Sequence, residues 1–182
     1  MHTDDAVLVR RAQAGHDEAF EELVVRYRDQ AYRVALRLLD RPADAEDAAQ
    51  DALVTAWQAL PAFRGESAFS SWLYRIVVNR CHDLQRRGRL VRPVDLQDPG
   101  AQALLPLVED TGEAVETRRR VQAVRDGLAA LPFELRAPLV LRELEGCSYA
   151  EVAHVLGLTE ATVRGRLARG RRELVRQVQE WV

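Results

Sequence analysis

No lysine occurs among the 182 residues; all 26 basic side chains are arginine. A phosphate-binding loop therefore has no lysine to use. The run Gly165-Arg166-Leu167-Ala168-Arg169-Gly170-Arg171-Arg172 mimics the glycine spacing of such a loop. It lacks the following Ser/Thr and a preceding strand as well, so it fails as one. Cysteine is nearly as scarce. Cys81 and Cys147 lie far apart in the chain and form neither a disulfide framework nor a metal knuckle, which leads to the expectation of a reducing, cytoplasmic setting. The four histidines are scattered with no HExxH pair. No apolar run approaches the roughly 20 residues needed to span a bilayer. The opening MHTDDAVLVRRA carries acids where a signal peptide would be basic. No nucleophile–base pair, metal-ligand set or cofactor motif is present, so the chain is expected to be no enzyme and to need no cofactor or metal.

Charge is plentiful and patterned. The net charge of −2 hides segments of opposite sign: residues 1–51 carry −5, residues 52–92 carry +5, residues 93–117 carry −6, and residues 161–182 carry +4. Two basic blocks separated by acidic ones suggest two contacts with a polyanion and an acidic face for another partner. Twenty-six guanidiniums supply planar forks suited to phosphates and guanine edges.

Helical periodicity dominates. Phe20, Leu23, Val24, Tyr27, Ala31, Val34, Ala35 and Leu38 predict one long amphipathic helix, with Gly15 closing a shorter one before it and Asp17 as N-cap. A second stripe runs Ala45, Ala48, Ala49, Leu53, Ala56, Trp57, Leu60. A third runs Phe69, Trp72, Leu73, Ile76, Val77, Cys81, Leu84, with Ser67 or Ser70 available as cap. From Gly88 to Glu116 the periodicity fails in a stretch rich in Pro, Gly and acid, which reads as a flexible linker. Helices resume with the stripe Val121, Val124, Leu128, Leu131. Pro132 suits a first turn, whereas Pro138 inside a helix forces a kink. Ser148-Tyr149-Ala150-Glu151 is a capping box, Gly157 closes that helix, and Thr159 caps the last one, whose inner stripe is Val163, Leu167, Leu174, Val178. The expected fold is all-α: two small helical domains, residues 1–90 and 117–182, joined by a flexible acidic linker at 91–116, with the second domain a helix-turn-helix.

Three motifs bear on function. With Val163, Leu167 and Leu174 facing inward, Arg164, Ala168, Arg171 and Arg172 lie on the outer side of the last helix, flanked by Arg166 and Arg169. Such a helix suits the major groove, where one or two guanidiniums fork onto guanine and the rest hold phosphates. The second motif is the polar turn Phe63-Arg64-Gly65-Glu66-Ser67. It leads into a helix mixing Phe69, Trp72 and Tyr74 with Arg75, Arg80, Arg86, Arg87 and Arg89. Rings beside arginines suit unpaired bases, although Phe69 and Trp72 lie equally well on the inner stripe. The third is the set Asp44, Asp47 and Asp51, which share a helix face beside Glu46 and Gln50. That face is either a solvated surface or a protein-docking one.

The strings DAEDAAQDALVTAW (44–57), FRGESAFSSWLYRIVVNRCHDLQRR (63–87) and LPFELRAPLVLRELEGCSYAEVAHVLGLTEATVRGRLARGRREL (131–174) together resemble the extracytoplasmic-function group of bacterial sigma factors, in register over nearly the whole chain. The resemblance implies a transcription initiation subunit of RNA polymerase with region 2 and region 4 domains. Asp47, Gln50 and Asp51 would face the clamp helices of the polymerase β′ subunit, and the second domain would meet the β flap. Phe63, Arg64, Gly65, Glu66 and Ser67 would build the loop holding a flipped base of the −10 element. Trp72, Asn79, Arg80 and Asp83, with Arg75, Arg86 and Arg87, would lie on the helix that opens that element. Arg164, Gly165, Ala168 and Arg169 would face −35 bases. Ser148, Tyr149, Arg166 and Arg171 would lie near phosphates, with Thr159 and Thr162 at the start of the same reading helix. Gly165 departs from the family pattern, in which many relatives carry serine or another polar residue. An anti-sigma factor is an expected partner, membrane insertion is not expected, and no further C-terminal domain is foreseen. The rival reading is a free-standing DNA-binding regulator that acts without polymerase.

Overall fold

The computed structural model describes residues 4–91 and 112–179. Among them are eight α-helices and no strand: α1 (Asp5–Gln13), α2 (Asp17–Leu39), α3 (Pro42–Ala59), α4 (Phe69–Val91), α5 (Gly112–Ala130), α6 (Phe133–Leu139), α7 (Tyr149–Leu156) and α8 (Glu160–Gln179). No described helix is long and apolar enough to cross a membrane. Residues 92–111, which hold most of the expected acidic linker, lie outside the described residues.

The first domain is α1–α4 around one seam. Leu23, Val34 and Leu38 of α2 meet Leu8, Leu60, Leu73 and Val77, all fully or almost fully buried. The inner face of α3 is alanine alone at Ala45, Ala48, Ala49, Ala52 and Ala56. Such small side chains let α3 lie close against both α2 and α4, its main neighbours. Pro42 opens α3 at a position where a missing N–H costs nothing. His16, not Asp17, takes the N-cap position of α2; Asp17 is the first helical residue, where its charge still favours the helix N-terminus. Similarly Ser70 lies inside the first turn of α4 rather than before it. Gly88 does not break α4, since a glycine in a helix costs only about 1 kcal/mol. The second stripe also overreaches at Trp57, which is 40% exposed and packs its ring on Phe20.

The second domain comprises α5–α8 around Leu131, Val140, Leu141, Val152, Val163 and Leu167. Val121 and Val124, placed on an inner stripe by spacing, are exposed; α5 becomes buried only from Gly127 and Leu128. Pro138 is accommodated within α6, and the chain then widens into a π-turn at Val140–Leu144. Proline offers no N–H to the carbonyl four residues earlier, so the regular ladder is already interrupted there.

The two domains pack on each other, α4 against α7 and α2 against α5, α6 and the π-turn. The Arg37 guanidinium of α2 pairs with Glu145, whose side chain is only 7% exposed. Arg136, buried in α6, donates from one nitrogen to the Leu38 carbonyl at 2.8 Å and from the other to Leu131 at 2.9 Å and to the Ala129 carbonyl. One cation thus satisfies carbonyls at the C-termini of α2 and α5.

Candidate nucleic-acid and polymerase interfaces

The helix-turn-helix is built as its sequence dictates. The Ser148 hydroxyl accepts from the Glu151 N–H at 3.2 Å, while the Glu151 carboxylate accepts from the Ser148 N–H at 2.7 Å. That backbone bond, seconded by the Ser148 side chain, holds the Glu151 carboxyl below its ordinary range. Gly157 ends α7 with φ at +64°, a left-handed turn that favours glycine. The Thr159 hydroxyl then accepts from the Thr162 N–H at 3.2 Å and contacts its hydroxyl, starting α8. Ser148, Thr159 and Thr162 are exposed but engaged in these caps.

On α8, Val163 and Leu167 are buried while Arg164, Gly165, Ala168, Arg169, Arg171 and Arg172 are exposed and Arg166 is half-buried. The guanidiniums are arranged rather than loose. Arg164 bonds Glu160 at 3.0 Å and lies 5.0 Å above the Tyr149 ring, whose other neighbour is Arg142 at 4.7 Å. Arg171 pairs with Glu143, which raises its already high pKa further. Arg166, Arg169 and Arg172 carry no ion pair among the described residues. Gly165 faces open space, with nothing within 4 Å of where a Cβ would stand. Gly170, by contrast, lets α8 lie against α6: a Cβ there would come within 2.9 Å of Leu139 Cδ1 and 3.2 Å of the Leu135 carbonyl oxygen.

In the first domain the Phe63–Ser67 turn runs between a short 3-10 turn and α4. Gly65 takes φ of +71°, and Arg64 and Glu66 project almost fully into solvent. Phe63 stacks on Trp72 with ring centroids 4.8 Å apart, and Trp72 lies 5.7 Å from Phe69. The rings divide by burial: Phe69 and Tyr74 are core, whereas Phe63, Trp72 and Ser67 are half-buried. Tyr74 is therefore unavailable to a base. Its hydroxyl lies 3.3 Å from both Glu145 and Gln30, and burial together with the Glu145 charge pushes its pKa well above 10. Sequence reasoning missed Gln13, whose amide donates to the Leu60 and Phe63 carbonyls at 2.9 and 2.8 Å and so ties α1 to the turn. Nothing in the periodicity marks it, because the bonds span about fifty residues.

Along α4, Arg75, Asn79, Arg86 and Arg87 are exposed, and Asp83 is half-buried with Arg86 at 3.9 Å. Arg80 is held by Asp51 of α3, its Nε 2.9 Å from Asp51 Oδ2. On the acidic face Asp47 and Gln50 are exposed, Gln50 reaching Glu46 at 3.5 Å, and Asp44 pairs with Arg41. No group of three or more metal-ligating side chains forms among the described residues. Asn79 and His82 of α4 face Phe133 and Glu134 of α6 and Arg166 of α8 across a crevice of about 290 Å³, with the His82 and Phe133 rings 5.0 Å apart. The structure thus brings one basic helix from each domain to the same cleft.

Comparison with known proteins agrees with this geometry. The family model for Sigma-70 region 2 matches residues 23–90, and that for Sigma-70 region 4 matches residues 122–174. The chain is 40% identical over 173 residues to the ECF RNA polymerase sigma factor SigM of Mycobacterium tuberculosis, covering 94% of this chain and 83% of that one. It is 37% identical over 185 residues to the RNA polymerase sigma-H factor of Pseudomonas aeruginosa, covering 96% and 94%. Among solved structures, CnrH in complex with the cytosolic domain of CnrY superposes with a TM-score of 0.71 at 30% identity, over 97% of both chains. The sigma factor RpoE of Bartonella quintana, in complex with the anti-sigma factor NepR, shares the fold with a TM-score of 0.69 at 24% identity, over 88% of this chain and 96% of that one.

Proposed function

The chain belongs to the extracytoplasmic-function group of the sigma-70 family, and on that premise we propose that it binds RNA polymerase core and carries it to promoters by reading a −35 element as duplex and capturing bases of a −10 element. Sigma factors are regulatory transcription factors rather than catalytic enzymes, and directing transcription initiation is the activity of the group. In this reading residues 1–90 dock on the polymerase and open the −10 element, residues 91–116 link, and residues 117–182 read the −35 element.

The observation that carries the proposal is α8: a capped helix-turn-helix presenting Arg164, Arg169 and Arg172 away from a buried Val163/Leu167 seam. Arg164 and Arg169, with Gly165 and Ala168 between them, face bases in the major groove. Ser148, Tyr149, Arg166 and Arg171 line the phosphates, with Thr159 and Thr162 ordering the helix start. In the first domain the half-buried Phe63/Trp72 pair offers a ring surface to a freed base. The turn Arg64, Gly65, Glu66 and Ser67 encloses that base, and Arg75, Asn79, Arg80, Asp83, Arg86 and Arg87 follow the strand. Asp47, Gln50 and Asp51 meet the β′ clamp helices, and the second domain meets the β flap.

Neither DNA face needs to be strong alone. Each neutralised phosphate adds about −0.9 to the slope of log affinity against log salt on duplex DNA. Holding both faces on one polymerase makes the second contact intramolecular, at an effective concentration of order millimolar. Opening DNA costs roughly 1.4 kcal/mol per base-pair step, and stacking a base on protein returns about 1–3 kcal/mol. Melting is thus balanced on a few good contacts. CnrH is solved in complex with the cytosolic domain of CnrY and the RpoE factor with the anti-sigma factor NepR, which supports an anti-sigma partner here.

Run-off transcription tests the proposal. Sigma-free bacterial core polymerase, supplied with genomic fragments that include this gene's upstream region, is expected to yield discrete new transcripts only with this protein, and to lose them with Asp47→Arg. No new transcripts, together with tight operator binding by the protein alone, would make it a free-standing regulator.

A further inference from the structure

Two residues assigned to different partners are bonded to each other. Asp51 lies on the α3 face assigned to the polymerase, and Arg80 lies on the α4 helix assigned to the −10 strand. Asp51 Oδ2 accepts from both Nε and Nη2 of Arg80. The fork leaves the pair half-open, with the Arg80 side chain 35% and the Asp51 side chain 48% exposed. A macromolecule on either helix face can therefore reach its own member of the pair. The neighbouring acid Asp47 has no such partner among the described residues, and Arg75, five residues before Arg80, has none either.

From this the geometry points to Asp51 as a positioning residue that masks Arg80 in the free chain and releases it when a basic polymerase surface takes the carboxylate. The inference rests on the function proposed above. Its physics is competition for one cation. While Asp51 neutralises Arg80, a phosphate gains little from approaching it, because the guanidinium's donors and charge are already engaged. When a cation of the polymerase pairs with Asp51, the guanidinium becomes available and the two binding events favour each other. The coupling is reciprocal, so single-stranded DNA on α4 also exposes Asp51 to polymerase. Surface ion pairs are weak, which suits a switch of this kind: the mask must yield to a better partner.

The test uses the full-length protein without polymerase and a fluorescein-labelled, mixed-sequence single strand of 12 nucleotides, read by anisotropy across a salt series. Asp51→Asn is expected to raise affinity about twofold to fivefold and to steepen the salt slope by about 0.7, one extra phosphate contact on a single strand. Asp47→Asn removes the same charge from the same helix face and is expected to gain less, with no change in slope. In the Arg80→Gln background, Asp51→Asn is expected to gain nothing. The mask is overturned if Asp51→Asn leaves affinity and slope unchanged, or if its gain persists without Arg80; the pair would then be a strut between α3 and α4. Absence of strand binding by every variant would instead remove the nucleic-acid role of α4, and with it the proposed function.

Discussion

Arg37 and Glu145 stand 108 positions apart and form an ion pair that closes the two domains on each other. The carboxylate is nearly enclosed, and the Tyr74 hydroxyl lies against its second oxygen. Deleting Glu145 leaves the half-buried Arg37 guanidinium without this partner and takes from the buried Tyr74 hydroxyl one of its two acceptors. Glu145→Ala is expected to lower stability by about 1–3 kcal/mol in urea unfolding. It should also speed hydrogen exchange in α7 and at the C-terminal end of α2 while leaving α3 unchanged. Uniform faster exchange over the whole chain would mean that the bond supports the fold as a whole rather than the domain contact.

The two glycines of α8 predict opposite outcomes from one substitution. Gly165→Ala should stabilise by about 0.5–1 kcal/mol, because the site is helical and open. Gly170→Ala should destabilise by about 1–3 kcal/mol, because its methyl group meets Leu139 and the Leu135 backbone oxygen. Thermal unfolding followed at 222 nm measures both.

Half-burial of Trp72 against Phe63 sets a test of base capture. Trp72→Ala should reduce promoter opening, read by permanganate reactivity, about fivefold to a hundredfold, the worth of one stacked base. Binding to a −35 duplex should stay within about twofold. Equal loss in both assays would return Trp72 to the core.

Tyr27 and Tyr74 predict the alkaline limit. Burial raises both pKa values above 10, assisted at Tyr27 by its hydrogen bond to Asp5 and at Tyr74 by the Glu145 charge. The folded chain keeps these two protons at pH values where the unfolded chain sheds them, so unfolding releases protons and stability falls as pH rises past about 10. Absorbance at 295 nm should show Tyr27 and Tyr74 ionising only as the helical signal at 222 nm collapses. Four tyrosines ionising together before that collapse would contradict the burial.

Sequence made the local devices legible and left the distant ones hidden. The Ser148–Glu151 box, the Gly157 stop and the Thr159 cap each need only four neighbouring residues, and each stands where spacing puts it. The outward arginines of α8 follow from a 3.6-residue period once Val163 and Leu167 are inside. Asp17 and Trp57 mislead because a cap and a stripe are average preferences that packing overrides at single positions. Arg136, Gln13 and the Asp51–Arg80 pair escape for a different reason: they are polar residues whose partners are chosen by tertiary approach, and no period encodes that approach.

The packing of α4 against α7 carries a consequence for reach. Helices packed side by side lie about 8–10 Å apart, whereas two sites separated by the distance from −35 to −10 lie roughly 85 Å apart along a duplex rising about 3.4 Å per base pair. With the promoter contacts proposed above, a chain folded in this way reaches one end of that span or the other. To grip both, the Arg37–Glu145 pair and the Arg136–Leu38 bond must part. On the proposed function, the polymerase is then more than an anchor: it is the spreader that holds the two hands of the factor open.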